Sequence, residues 1–84
     1  MDEKFFELPC LDGCKSFYGK AKVIECENGD KILRSYVTDV AKITADGVFM
    51  RLWDGESATT MRHINSFRMF YGKNKISVKD WRKM

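Results

Sequence analysis

The chain has 84 residues and a net charge of +3, with 44% hydrophobic and 32% charged residues. This composition excludes a disordered tail, and the apolar runs are too short to span a membrane. Residues 1–84 are therefore interpreted as one small domain, whose thin core a bound metal or a partner would help to stabilise. It is divided into an irregular cysteine-bearing segment (1–19), a β-meander (20–53) and a helical part (57–84).

The start of the chain lacks the features of a secretory signal. The charged residues 2–4 are followed by only two apolar side chains, Phe5 and Phe6, so the basic start and the apolar core of a signal peptide are both missing. We therefore expect a cytoplasmic protein. In that compartment the three cysteines would remain reduced, and their odd number argues against a simple disulfide framework.

The first half of the chain predicts strands joined by glycine turns. Residues 20–27 predict one strand, and Asn28-Gly29 predicts a two-residue hairpin turn of type I′, because both residues tolerate a positive φ. Residues 32–44 predict a second, long strand. Residues 45–47 predict another turn, and residues 48–53 a third strand.

The long predicted strand over residues 32–44 carries one interruption. Asp39 falls among apolar and β-branched residues, so we expect a β-bulge near Thr38 and Asp39. Alternation along the strand places a set of apolar residues on one face, namely Leu33, Val37, Ala41 and Ile43.

The main helix is predicted from the spacing of apolar residues after Ser57. Any of Ser57, Thr59 and Thr60 can cap its N-terminus, and Gly72 ends it. The apolar face is predicted to consist of Thr60, Met61, Ile64, Phe67 and Tyr71, with His63 at its edge. The opposite face is predicted to consist of Arg62, Asn65, Ser66 and Met69.

A short terminal helix is predicted by a pattern that resembles a capping box. Ser77 stands three residues before Asp80, and Trp81 would dock this helix on the rest of the domain. The order of elements predicts an α+β fold. It consists of a small antiparallel β-meander of about three strands packed against one main C-terminal helix plus the short terminal helix.

The segment from Arg51 to Asn65 carries the series Arg-x-Trp-Asp-Gly-x-Ser-Ala-Thr-Thr-x-Arg-His-Ile-Asn. It resembles the signature of a family of short proteins encoded by phages and mobile elements of Gram-positive bacteria. Residues 35–41 and 76–81 are similar to two further elements of that family. The resemblance covers roughly the second half of the chain. It implies a fold and a genomic habitat in phages and mobile elements, so that the expected cytoplasm is that of the host bacterial cell, and it carries no established activity.

Four side chains have the composition of a closed structural zinc site. Cys10, Cys14, Cys26 and His63 would supply three thiolates and one imidazole, with Asp12 as a substitute fourth ligand. Such a site would tie the irregular N-terminal segment to the sheet and the helix. The alternative is that the cysteines are small buried hydrophobic residues and that the histidine hydrogen-bonds locally at the helix edge.

The C-terminal part of the chain is strongly basic. Residues 62–84 contain seven lysines and arginines against one acid, Asp80, which gives a charge of +6. This segment is either an ordinary solvated surface or a contact for phosphate or for an acidic protein face. The residues predicted to contact a partner are Arg62, Ser66, Met69, Lys73, Lys75, Lys79 and Arg82.

No motif in the sequence predicts catalysis. A cysteine nucleophile with a histidine base is formally possible, but no surrounding signature supports it, and a glycine-rich phosphate loop is missing. We therefore expect a non-enzymatic inhibitor that binds and sterically blocks a host defence protein, most specifically an anti-CRISPR protein acting on a type II RNA-guided effector nuclease. The alternatives are a small nucleic-acid-binding regulator or recombination accessory protein, and a phage accessory whose partner is another phage protein.

Overall fold

The computed structural model describes residues 4–11 and 16–84. Within these residues five strands form one sheet, in which each strand pairs in antiparallel fashion with its neighbour in the sequence. The predicted α+β class is confirmed, whereas the expectation of about three strands understates the five-stranded sheet. The elements are β1 (Lys4–Glu7), β2 (Ala21–Glu25), β3 (Lys31–Ser35), β4 (Thr38–Ile43), β5 (Phe49–Arg51), α1 (Ala58–Phe70) and α2 (Val78–Arg82).

The first added strand is β1, which lies in the segment predicted to be irregular. It pairs with β2, so that Phe5 stands opposite Ile24 and Phe6 opposite Val23. Phe6 packs against the core, whereas Phe5 is 55% exposed on the other face. Two adjacent phenylalanines conceal this alternation, because they give no apolar–polar pattern with a period of two.

The second added strand results from a turn inside the long strand predicted over residues 32–44. Tyr36 has a φ of 58°, and Ser35 pairs with Thr38 across the Tyr36-Val37 turn. Val37 is 91% exposed, so its predicted place on the Leu33 face is wrong. The sequence lacks the usual signal for this turn, because a tyrosine rarely adopts a positive φ.

The bulge predicted near Asp39 is present. The register changes from Leu33 opposite Ala41 to Arg34 opposite Asp39, which leaves Val40 as the extra residue of β4. Val40 is buried, and its carbonyl accepts a hydrogen bond of 3.0 Å from the backbone N–H of Leu52. The bulge therefore contributes to the core while it changes the direction of the strand.

Both predicted hairpins exist, but the turn at Asn28-Gly29 is not of type I′. Among the described residues only glycines, Tyr18 and Tyr36 have a positive φ, so Asn28 lacks the conformation that a type I′ turn requires. Gly29 has a φ of 98°, and its N–H bonds the Cys26 carbonyl at 3.0 Å. This is a three-residue loop that ends in a left-handed glycine, and residues 45–47 repeat the same arrangement with Gly47.

Helix α1 packs across one face of the sheet and is covered on both flanks. The Ser66 hydroxyl accepts a hydrogen bond of 3.0 Å from Leu11 N–H, and the Asn65 side-chain oxygen accepts one of 2.7 Å from Ile76 N–H. The prediction that Asn65 and Ser66 point away from the core is therefore wrong. The buried residues of the helix are Thr60, Met61, His63, Ile64, Asn65, Ser66 and Phe67.

Helix α2 is held by the first half of the Arg51–Asn65 signature. Trp81 is fully buried, and its indole Nε1 donates to the Gly55 carbonyl at 2.7 Å. The Arg51 guanidinium lies 4.9 Å from the Trp81 ring centroid and donates to the Trp81 carbonyl at 3.0 Å. Arg82 forms an ion pair with Glu56. This half of the signature therefore has a structural role.

The helix caps agree with the sequence. Ser57 is the N-cap of α1, chosen from three candidates, and its hydroxyl accepts from Thr60 N–H at 3.2 Å. Ser77 caps α2 in the same way, by accepting from Asp80 N–H at 3.1 Å. None of the helices in the described part of the chain has the length and apolar character needed to cross a membrane.

Candidate functional site

The predicted zinc ligands do not converge within the described residues. His63 contacts Ser35, which pairs with Ala21 at the start of β2, whereas Cys26 follows the far end of that strand. Roughly 15 Å of extended strand separates the two positions. Cys14 and the substitute ligand Asp12 lie outside the described residues.

Cys10 packs against the edge of the core and is disulfide-bonded, which differs from the expectation that the cysteines remain reduced. No group of three or more metal-binding side chains occurs within residues 4–11 and 16–84. The zinc site stays a prediction.

The predicted partner-contact residues are scattered. Ser66 is fully buried, so its predicted place on an exposed contact face is wrong. Arg62 lies on the first turns of α1, whereas Lys73 follows the other end of that helix. Met69 and Lys73 are half-buried, while Lys75, Lys79 and Arg82 are exposed on the loop and on α2. Of these residues, Arg62 alone reaches the pocket described next.

A half-open pocket of about 410 Å³ lies at the start of α1, beside the β3–β4 turn and the segment that leads into β2. We call it the tyrosine pocket. Three short segments form its walls. The segment before β2 contributes Ser16, Phe17, Tyr18 and Lys20, the β3–β4 turn contributes Tyr36, and the start of α1 contributes Ala58, Thr59, Arg62 and His63. The α1 contribution comes from the second half of the Arg51–Asn65 signature, so the two halves serve different parts of the molecule.

The floor of the tyrosine pocket is a buried polar cluster. His63 is 1% exposed, and its Nδ1 shares a hydrogen bond of 2.8 Å with the Ser35 hydroxyl, which lies 3.3 Å from the Thr60 hydroxyl. The Phe17 ring packs on His63 edge-on, with centroids 4.5 Å apart. Burial, and secondarily the charge of Lys20, lowers the pKa of His63 to about 4, so the imidazole is neutral at pH 7.

The Ser35–His63 pair has the composition of a nucleophile with its base. Ser35 is only 3% exposed, however, and its hydroxyl is engaged by two neighbouring side chains. A substrate would not reach that oxygen without displacing the helix. The pair therefore positions α1 on the sheet, which agrees with a local hydrogen-bonding role for His63.

The rim of the pocket is aromatic and strained. Tyr18 is 75% exposed with a φ of 52°, and Tyr36 is 52% exposed with a φ of 58°. A left-handed conformation costs a residue with a side chain about 1–2 kcal/mol. Strained residues of this kind concentrate at sites of function. Two exposed tyrosines held in this conformation at one pocket mark it as the candidate site.

The charge at the rim is positive. Lys20 Nζ lies 6.0 Å from the centroid of the Tyr36 ring, and Arg62 is exposed on the first turns of α1. Neither cation has an ion-pair partner among the described residues, and no carboxylate is among the residues that line the pocket. Glu7 approaches from outside by accepting from Gly19 N–H at 2.6 Å. The arrangement suits an anionic group attached to a flat or apolar one.

Sequence reasoning found two members of this site, Arg62 and His63, and missed the tyrosines and Lys20. Tyr18 is followed by Gly19, which signals a turn, but nothing in the sequence places that turn beside Tyr36. The pocket depends on contacts between segments that are distant along the chain. A single sequence carries no direct signal for them.

We expect the buried neutral state of His63 to make stability pH-dependent. The unfolded side chain takes up a proton near its ordinary pKa of 6.5, whereas the folded one does so near 4. The unfolded state therefore binds more protons between these values. The contribution of neutral His63 to the free energy of unfolding is therefore complete above pH 6.5 and is lost as the pH falls from 6.5 toward about 4.

Between pH 7 and pH 5 the chain should lose about 2 kcal/mol more of its free energy of unfolding than a His63→Gln variant loses. Urea unfolding followed by tryptophan fluorescence at both pH values measures this difference. Each variant is compared with itself, so a change in absolute stability cancels. Equal pH slopes for the two proteins would contradict the assignment of the effect to His63.

Neither the comparison with curated proteins nor the comparison with solved structures gave a match. A family model covers residues 6–83, which include every described residue of the tyrosine pocket and of the α2 contacts. The chain therefore belongs to a family of unknown function (DUF8033).

Proposed function

We propose that this chain is a non-enzymatic binding protein that acts in the host bacterial cytoplasm by occupying the surface of another macromolecule. The observation that carries the proposal is the tyrosine pocket, whose cations Lys20 and Arg62 have no ion-pair partner in the described part of the chain. A cation that already forms an ion pair would gain little binding free energy from an acidic group of a partner. Unpaired cations beside exposed rings provide a ready contact for an acidic group.

The buried state of the Ser35–His63 pair supports a binding role rather than a catalytic one. The pocket holds one neutral imidazole under a tilted tyrosine ring, and the Ser35 hydroxyl that bonds this imidazole is buried. A catalytic site would need a reactive group within reach of a bound substrate. Binding of a partner requires only the exposed tyrosine rings and the cations at the rim of the pocket.

The proposed partner is a host defence protein, and the specific target is an RNA-guided effector nuclease of type II. This part of the proposal rests on the small size of the chain and on its resemblance to phage and mobile-element proteins. The pocket adds a chemical expectation, namely that an aspartate or glutamate of the target lies between Lys20 and Arg62. A compact domain of this size can block a protein by covering a surface of ordinary interface area.

The test combines binding and inhibition. Purified chain is mixed with a purified type II effector nuclease, and complex formation is followed by size-exclusion chromatography and plasmid cleavage. We expect a complex, reduced cleavage, and at least tenfold weaker binding by Arg62→Glu. Lys83→Glu makes the same change of charge at the exposed C-cap of α2 and serves as the matched control, which should bind as tightly as the parent. A soluble, folded chain that gives neither complex nor inhibition would contradict the choice of target.

The salt dependence of binding separates this proposal from the nucleic-acid-binding alternative. A protein contact through one or two ion pairs should weaken modestly between about 50 and 200 mM salt, because few counterions are released. Nucleic-acid binding falls steeply over the same range. The measurement is repeated after nuclease treatment of both proteins. Loss of the complex on that treatment would identify nucleic acid as the bridging partner.

A further inference from the structure

Strand β5 is one edge of the sheet in the described part of the chain. The Val48 carbonyl accepts a hydrogen bond of 2.9 Å from the residue after β4, and the Leu52 N–H donates one of 3.0 Å to β4. Hydrogen-bonded residues alternate along an antiparallel strand, so Met50 also bonds β4. The backbone N–H and C=O groups of Phe49 and Arg51 therefore point away from β4, and none of the hydrogen bonds within the described residues uses them.

The same strand exposes a row of apolar side chains. Trp81 of α2 packs on Phe49, so the helices cover the face that carries the odd-numbered residues of β5. Residues two apart point to the same face of a strand. Val48, Met50 and Leu52 therefore lie on the open face, where they are 56%, 42% and 46% exposed. An edge strand with unpaired backbone groups and exposed apolar side chains is a template for pairing with another chain.

A second copy of β5 fits this edge with two-fold symmetry. A two-fold axis perpendicular to the sheet pairs the strand with itself in antiparallel fashion and keeps the helices of both copies on one side. Only residues whose backbone groups point outward can then bond one another. With Met50 on the axis, Phe49 of each copy stands opposite Arg51 of the other, and both pairs can exchange N–H···O bonds.

Charge favours this register over the neighbouring ones. A shift that places Arg51 on the axis would set two guanidinium groups directly opposite each other, which is destabilising. The opposite shift would set Leu52 against the carboxylate of Asp46 in the second copy. With Met50 on the axis, Val48 faces Leu52 of the second copy and Met50 faces itself. The row on the open face then contains apolar side chains alone.

The contact is small, so the association should be weak. The paired segment comprises residues 48–52, and the turns that carry Asp46 and Asp54 lie beyond its two ends. Such a segment buries far less than the roughly 800 Å² per partner of a stable complex. We expect a dissociation constant on the order of 0.1–1 mM.

We propose that the chain forms a weak homodimer in which the β5 strands of two copies pair in antiparallel fashion about a two-fold axis at Met50. The pairing joins two sheets into one and covers the exposed apolar row of β5. It goes beyond the proposed function, because it does not use the tyrosine pocket and its partner is a second copy of the same chain. Both pockets lie on the helix side and stay open on the same side of the dimer.

The first test places charges on the axis. Sedimentation equilibrium of the purified chain over about 0.02–2 mM measures the association. Met50→Glu sets two carboxylates opposite each other and Met50→Lys sets two ammonium groups opposite each other, so each variant should dimerise at least tenfold more weakly than the parent. An equimolar mixture brings opposite charges together and should associate at least fivefold more tightly than either variant alone. This rescue requires that residue 50 of one copy meets residue 50 of the other.

The matched control is Val37→Glu. It adds the same charge in place of an apolar side chain that is 91% exposed on the β3–β4 turn, away from β5. This variant should change the association less than twofold. Melting temperatures check that all variants fold, which is expected because each replaced side chain is exposed.

The second test locates the contact in the parent chain and needs no variant. Nuclear magnetic resonance spectra recorded over the same concentrations follow each backbone amide. The amide protons of Phe49 and Arg51 should move downfield as the concentration rises, because they gain carbonyl acceptors. Those of Phe5 and Glu7, which point outward from the opposite edge of the sheet, should not move.

Four results would each overturn the proposal. They are a parent chain that stays monomeric at about 2 mM, a mixture that associates no better than its components, an equal loss in Val37→Glu, and amide shifts that leave out Phe49 and Arg51. Arg62→Glu removes a cation from the tyrosine pocket and should leave dimerisation within twofold of the parent. The dimer and the proposed function can therefore fail independently.

Discussion

We expect Trp81→Ala to lower the free energy of unfolding by about 3–5 kcal/mol, the range for removing a large buried aromatic side chain. The indole is fully buried, packs with Phe49 at 6.1 Å between ring centroids, and donates to the Gly55 carbonyl. Without it, Arg51 loses the ring on which its guanidinium lies. Helix α2 has only five residues and would not persist undocked.

The control for this variant is Trp81→Phe, which keeps an aromatic ring but removes the Nε1 donor. It should lose less than Trp81→Ala, because most of the buried apolar contact remains. Chemical denaturation followed by far-ultraviolet circular dichroism reports both variants without depending on the indole. A loss below about 1 kcal/mol for Trp81→Ala would show that α2 is not docked as described.

The second large effect is expected for Gly55→Ala. A Cβ at this position would overlap the six-membered ring of Trp53. The carbonyl of Gly55 itself accepts the hydrogen bond from Trp81 Nε1. Relief of the overlap must move either the indole or the backbone that bonds α2. Overpacking of this kind typically costs 1–3 kcal/mol, so we expect a loss of about that size in the free energy of unfolding.

A double-mutant cycle identifies the cause of the Gly55→Ala effect. In a Trp53→Leu background the ring is absent, so the added methyl group should be tolerated with a much smaller further loss. Urea denaturation of the four proteins gives the coupling energy. Additive losses would mean that Gly55 is required by its backbone rather than by the ring beside it.

The parts of the fold that depend on local chemistry could be predicted from the sequence. Ser57 and Ser77 are good N-caps, and apolar residues at helical spacing follow Ser57. The glycines at 29 and 47 mark the two hairpins because each takes a positive φ. The exact type of the first turn was mispredicted, since Asn28 tolerates the type I′ conformation without being compelled to adopt it.

The parts that depend on distant contacts could not be predicted. Ser66 is polar and looks exposed on a helical wheel, yet Leu11 covers it from a segment 55 residues away. Tyr36 interrupts a sequence that otherwise favours one long strand. The candidate site was the least predictable part, because Tyr18 and Tyr36 come together at its rim only after the sheet has formed. Arg62 and His63 were found because they belong to the signature.

The order of the sheet has a consequence for how the chain reaches its native state. Each strand pairs with its neighbour in sequence. The connections between successive strands from β2 to β5 are two to five residues long, so these pairings close short loops. Short loops cost little entropy to close, and topologies rich in such contacts fold quickly. The contacts of Trp81 with Gly55 and Arg51 span more than 25 residues and are suited to form after the meander. Changes at α2 should then accelerate unfolding and leave the folding rate nearly unchanged, as expected of contacts absent from the transition state.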